Sequence, residues 1–120
     1  MTGTVHLDFE QLRVLSGDDD DFVIEILEMI IEQSPAVLQD MTAQLQRADY
    51  PSLGATAHKY KSSVNILGSP VINSLVKDIE LTAFNQGNKD QLPDLISQFH
   101  QVCDEMLALV RSELQALKTA

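Results

Sequence analysis

Apolar residues recur along this chain at intervals of three and four, with little of the strict alternation a half-buried strand requires, so the pattern predicts helices almost throughout. The stretch SGDDDDFVIEILEMIIEQSP sets Ser16 and the aspartates at 18–21 ahead of an apolar periodic run. Short polar side chains there cap free N–H groups, and negative charge suits the positive end of a helix dipole, so the run reads as a helix start rather than a metal site. Pro35 has no N–H for the helical ladder and is expected to break or restart this helix. PAVLQDMTAQLQRA continues helically to Asp49, a candidate cap for a third helix with Pro51 in its first turn. Gly68, Ser69 and Pro70 predict a turn, and VINSLVKDIELTAFNQ predicts a fourth helix ended by Gly87 and Asn88. Asp90 is expected to start a long last helix. There Leu92, Leu95, Ile96, Phe99, Cys103, Met106, Val110, Leu114 and Leu117 keep to one side, which makes Cys103 a core residue rather than a reactive thiol.

The third helix carries the stretch AHKYKSSVNILG, in which a histidine sits beside two lysines. Leu53, Ala57, Tyr60, Val64 and Leu67 follow one another at spacings of four and three, so they share one arc and form the core seam. With that arc centred at zero and roughly 100° of rotation per residue, Lys61 falls at about 80°, Asn65 at about 120°, His58 at about 140° and Ser62 at about 180°. His58 therefore faces away from the core. Lys61 shares its face, whereas Lys59 points about 100° away from it. Gly54 and Ser62, one turn before and after His58 on its own row, are small enough to leave the imidazole edge open. A solvent-facing imidazole with a cation beside it suggests a nucleophile that accepts an anionic group, a phosphoryl above all, rather than a metal ligand. Lys61 would balance charge on the phosphoryl oxygens, while Ser62 and Asn65 would offer hydrogen bonds.

Composition narrows the partners. Eight Lys and Arg against eighteen Asp and Glu leave a formal net charge of -10, which repels nucleic acid and anionic lipid and favours protein partners. One cysteine excludes an internal disulfide, the N-terminus lacks the apolar stretch of a secretion signal, and no apolar run approaches the ~20 residues that span a bilayer. A cytoplasmic setting without membrane insertion is expected. The length suits one domain over 1–120, with 1–15 a loosely ordered lead-in and a bundle over roughly 18–118. The opening methionine leans mildly toward a free-standing protein.

The segment AHKYKSSVNILGSPVINSLVKDIE resembles the signature of histidine-containing phosphotransfer (HPt) domains. Ala57, His58, Tyr60, Lys61, Ser62, Ser63, Leu67 and Gly68 stand in register with that pattern, and Leu75, Ile79 and Glu80 fall where the family carries its next conserved stretch. Ser62 departs from the glycine of many members, which narrows the approach to His58 slightly. The resemblance covers nearly the whole chain, although only the histidine region is specific. It implies an all-α, antiparallel four-helix bundle with an additional N-terminal helix. It also implies a monomeric phosphorelay intermediate that takes a phosphoryl group on His58 from a receiver-domain aspartyl phosphate and passes it to another receiver aspartate. Receiver domains of response regulators or hybrid sensor kinases are the implied partners, and the metal and assisting lysine of the reaction belong to them. No cofactor, resident metal or autonomous enzymatic activity is expected, and no glycine-rich phosphate loop points to ATP.

Two readings of Glu80 stay open: it reaches across the helical hairpin to the ring nitrogen of His58 that is not phosphorylated, or it is a solvated surface residue. His6 and His100 form no ligand cluster with His58 that the sequence shows. The rival to the relay is an acidic helical docking module without covalent chemistry, in which His58 is incidental. A metal-binding bundle would need Glu-x-x-His pairs, which do not occur.

Overall fold

A polar stretch of chain becomes a helix end where its side chains can satisfy orphan backbone groups, and the computed structural model, which describes residues 5–84 and 88–119, shows where this happens. Among the described residues there are five α-helices and no strand: α1 (Glu10–Ser16), α2 (Asp20–Gln46), α3 (Tyr50–Val64), α4 (Pro70–Phe84) and α5 (Leu92–Thr119). Asp19, not Ser16, caps α2 by accepting the N–H groups of Asp21 and Phe22 at 3.0 and 3.4 Å. Ser16 instead closes α1, its hydroxyl donating to the Arg13 carbonyl at 2.9 Å. Gly17 and Asp18, at φ of 63° and 65°, turn the chain between the two helices through the left-handed region that Gly and Asp tolerate best.

The break expected at Pro35 does not occur. Helix α2 runs unbroken through it because one stripe, Val23, Leu27, Ile30, Ser34, Val37, Leu38 and Met41, is buried on both sides of the proline. An interior proline costs about 3 kcal/mol. Burying Val37, Leu38 and Met41 beyond it is worth about 1.5 to 3 kcal/mol each, so tertiary packing prevails over local propensity. Ser34 uses its hydroxyl twice, donating to the Ile30 carbonyl at 2.7 Å and meeting the buried Tyr60 hydroxyl of α3. The extra N-terminal helix is therefore α1 and not a segment cut off at Pro35.

Asp49 caps α3 by accepting the Ser52 N–H at 3.3 Å, with Pro51 in the first turn. The helix tightens into a 3-10 turn at Asn65–Leu67 and stops at Gly68, whose φ of 66° admits the reversal. Ser69 and Pro70 begin α4 rather than merely linking to it, since the Ser69 hydroxyl accepts the Ile72 N–H at 3.3 Å. The helix end expected at Gly87 lies outside the described residues. Asn88 accepts the Asp90 N–H at 3.2 Å and opens a 3-10 turn, Lys89–Gln91, so Asp90 precedes α5 within that turn instead of starting the helix.

Helix α2 packs on α3 and α5, and α4 packs on the same two, which closes a four-helix bundle. The 28-residue α5 measures about 42 Å at 1.5 Å per residue, close to the 47 Å long dimension of the molecule. The α3 seam of Leu53, Ala57, Tyr60, Val64 and Leu67 is buried throughout. On α5, Leu92, Ile96, Phe99, Cys103, Met106 and Val110 are buried, while Leu95, Leu114 and Leu117 are half-buried against the same core. Burial pushes both the Tyr60 phenol and the Cys103 thiol upward, which keeps them neutral in the interior.

The lead-in does not match its expected looseness from Val5 onward. Val5 and Leu12 are 2 % and 0 % exposed and belong to the core. The Asp8 N–H donates to the Leu67 carbonyl at 2.8 Å, and Arg13 of α1 meets Glu113 of α5 at 2.6 Å. A segment this short shows too few periods for its apolar positions to stand out in sequence. Leu12→Ala is expected to lower stability by about 2 to 5 kcal/mol in urea or thermal unfolding, the usual cost of emptying a core leucine site. A silent substitution would show that the segment is not part of the folded unit.

Candidate functional site

Outward from the α3 seam stands His58, with 63 % of its side chain exposed. Its Nδ1 lies 2.5 Å from Oε2 of Glu80 on α4. The other carboxylate oxygen, Oε1, accepts from Lys61 Nζ at 2.8 Å. Glu80 is only 8 % exposed, so the solvated reading of this residue does not hold. The Lys61 ammonium is the main influence holding its carboxyl below the usual carboxylate range, and the His58 ring adds to that effect; burial opposes both. An ionised carboxylate only accepts, so the ring nitrogen facing it carries a proton and Nδ1–H donates to Glu80.

Contacts along the α3–α4 hairpin fix its register. Gly54 meets Phe84, His58 meets Glu80 and Asn65 meets Asn73, so each step forward on α3 is matched by an equal step back on α4. A Cβ added at Gly54 would lie 2.5 Å from the Phe84 ring, and Gly54 itself is buried. Its smallness thus serves close packing between the helices. Ser62 is exposed one turn beyond His58. Asn65 keeps helical backbone angles where α3 passes into the 3-10 turn and stays on the His58 row that faces α4, where its Oδ1 accepts from Asn73 Nδ2 at 3.2 Å. The site thus gathers His58, Lys61 and Glu80 into one hydrogen-bonded unit, flanked by Gly54 and Ser62, while Asn65 ties the far end of the hairpin. Phe84 escaped the sequence reading, although its place four residues after Glu80 was the signal available.

Lys59 points the other way and lines a groove between α2 and α3 with Gln33 and Asp40. His6 is exposed, and His100 Nε2 lies 3.3 Å from the Thr42 hydroxyl, between α5 and α2. Among the described residues no group of three or more His, Cys, Asp or Glu side chains is arranged to hold a metal ion. No described helix is long and apolar enough to cross a membrane.

The family model of the Hpt domain matches residues 25–120. The chain belongs to the Hpt family. Histidine-containing phosphotransfer protein B (HptB) from Pseudomonas aeruginosa PAO1 superposes on this Hpt domain with a TM-score of 0.84 and 27 % identity, over 92 % of this chain and 96 % of that one. No curated protein sequence matches the chain. Hpt domains are phosphocarriers rather than catalysts, so this one is a phosphotransfer intermediate of two-component phosphorelays that engages receiver domains.

The packing of this Hpt domain separates its two small residues beside His58. Gly54→Leu is expected to lower stability by about 1 to 3 kcal/mol through its collision with Phe84, whereas Ser62→Leu, on the open surface, stays within about 0.5 kcal/mol of wild type. Adding Phe84→Ala to Gly54→Leu should recover most of the loss in urea unfolding; equal and silent effects of the two leucines would refute the close approach. Acid titration tests Glu80. Its carboxyl is lowered from 4.5 in the folded chain, so the stability its charge contributes is complete above about pH 4.5 and is lost as pH falls through the folded value. Glu80→Gln is expected to be less stable than wild type at neutral pH and to lose less stability below pH 4.5; parallel acid profiles would contradict the pairing.

Proposed function

We propose that His58 is the residue that carries the phosphoryl group, through Nε2, and that Glu80 and Lys61 hold its ring for that task. The observation that carries this reading is the Nδ1 to Glu80 Oε2 contact at 2.5 Å on a ring whose side chain is 63 % exposed. Nucleophilic attack needs a neutral ring with a fixed tautomer and an open lone pair, and free imidazole is largely unprotonated at physiological pH. The Nε2 lone pair attacks the phosphorus of a receiver aspartyl phosphate. As the N–P bond forms the P–O bond breaks, and its electron pair returns to the receiver as a carboxylate. The ring keeps its proton on Nδ1 and gains positive charge, which Glu80 faces at hydrogen-bond distance. Delivery to a second receiver aspartate runs the same steps in reverse.

Lys61 then acts through Glu80, keeping it ionised and aimed. Ser62 leaves the approach to Nε2 open, Gly54 lets α4 come close enough for Glu80 to reach, and Asn65 holds the hairpin register. Phosphoryl transfer depends mainly on alignment and charge, so a rigid helical surface suffices as the protein's contribution. One core joins the described helices, which supports reading 1–120 as a single domain. The net charge of -10 supports protein partners over nucleic acid, and a cytoplasmic monomer is the form this reading takes.

Incubation with a phosphorylated receiver domain is expected to add one phosphoryl mass to the wild type and none to His58→Gln, with helical content unchanged and stability within about 0.5 kcal/mol, as for exposed substitutions generally. Labelling of His58→Gln equal to wild type would place the acceptor elsewhere, and no labelling of either protein would favour the docking module.

A further inference from the structure

Transfer to His58 leaves the site short of one positive charge. With the ring neutral, as nucleophilic attack requires, His58, anionic Glu80 and cationic Lys61 sum to zero before transfer. Afterwards the ring holds one positive charge and the phosphoryl about two negative charges, so the cluster ends with one negative charge in excess. Lys61 is already matched by Glu80, and Lys59 faces the groove between α2 and α3.

The cation left on this face is Lys77. The hairpin register that pairs His58 with Glu80 and Asn65 with Asn73 sets Lys77 level with Lys61, one turn and about 5 Å along the axis from the His58–Glu80 pair. Around the α4 axis, measured from Glu80, Asn73 lies at about 20°, Phe84 at about 40° and Lys77 at about 60°, all on one side. Asn73 and Phe84 both touch α3 from this edge, whereas Val76, Ile79 and Ala83 turn the opposite way into the core. Lys77 is exposed and makes no ion pair among the described residues. Its flexible four-carbon stem covers the gap between adjacent helices, which stand about 8 to 10 Å apart.

We propose that Lys77 is a further phosphoryl-binding residue of this Hpt domain, whose ammonium meets the phosphoryl oxygens once they are on His58 and so favours the phosphorylated state. The inference rests on His58 being the acceptor. It differs from a docking role in what it changes: a residue that only greets the receiver alters how fast equilibrium is reached, whereas one that binds the transferred phosphoryl alters where equilibrium lies.

The test mixes the full chain with a limiting amount of one phosphorylated receiver domain, at concentrations low enough that the two stay apart, and measures the final ratio of phosphorylated to free protein on each side. Lys77→Ala is expected to shift that ratio about three- to tenfold toward the receiver, the scale of one partly screened charge, with Lys77→Glu shifting it further. Lys77→Arg should restore the wild-type ratio, and the Lys77→Ala deficit should shrink in high salt, while thermal unfolding stays unchanged throughout. A wild-type final ratio in Lys77→Ala overturns the proposal even if the approach to equilibrium is slower, and so does a Lys77→Arg variant as deficient as Lys77→Ala. Failure of the wild-type chain to take phosphoryl at all is a separate result: it removes the assignment of His58 and this inference with it.

Discussion

A carboxylate withdrawn from water must be met by donors or it becomes protonated, and the site of this Hpt domain depends on how that demand is met at Glu80. One oxygen takes the Lys61 ammonium and the other takes the His58 ring, so a single side chain on α4 orders two on α3. The ion pair keeps the carboxylate charged, the charge fixes the ring proton on Nδ1, and the fixed proton leaves Nε2 open. Each step needs the previous one. Because the pair is partly exposed, its Coulombic energy is modest, and its consequence lies in orientation more than in stability.

The rest of the fold holds α3 and α4 in the register this arrangement requires. Gly54 lets the Phe84 ring lie against the backbone of α3 at one end of the hairpin, and the Asn65–Asn73 bond closes the other end. Behind the site, Tyr60 turns inward two residues from His58, packs edge-on against Phe99 of α5 and meets Ser34 of α2. The helix that presents His58 is thereby fastened on three sides while its reactive edge stays free. On the proposed role of His58, such a surface does little chemistry of its own and serves to hold the imidazole rigid and aimed outward.

Helical periodicity made the inner faces legible. The seam from Leu53 to Leu67 and the apolar face of α5 follow from spacing alone, because burial of one stripe is a local, repeating demand. What escaped depended on contacts distant in sequence. Pro35 reads as a breaker until the buried stripe on both sides is seen, and the length of α2 is decided by partners on α3 and α5. Gly54 reads as open space beside His58, yet its neighbour Phe84 arrives from the next helix. Asn65 falls on the His58 row as helical spacing predicts, yet its partner Asn73 comes from the next helix and is not visible in that spacing. The two readings of Glu80 needed the hairpin register to separate them, and α1 was too short for its buried Leu12 to reveal a period.

The central claim is that Glu80 selects the ring tautomer of His58 and so selects the nitrogen that receives phosphorus. Nitrogen-15 NMR of the His58 imidazole, before and after transfer from a phosphorylated receiver, measures this directly. The account predicts a proton on Nδ1 and a bare Nε2 in the resting protein at neutral pH, followed by phosphorus–nitrogen coupling at Nε2 with the Nδ1 proton retained. A resting ring protonated on Nε2, or phosphorus coupled to Nδ1, would contradict it.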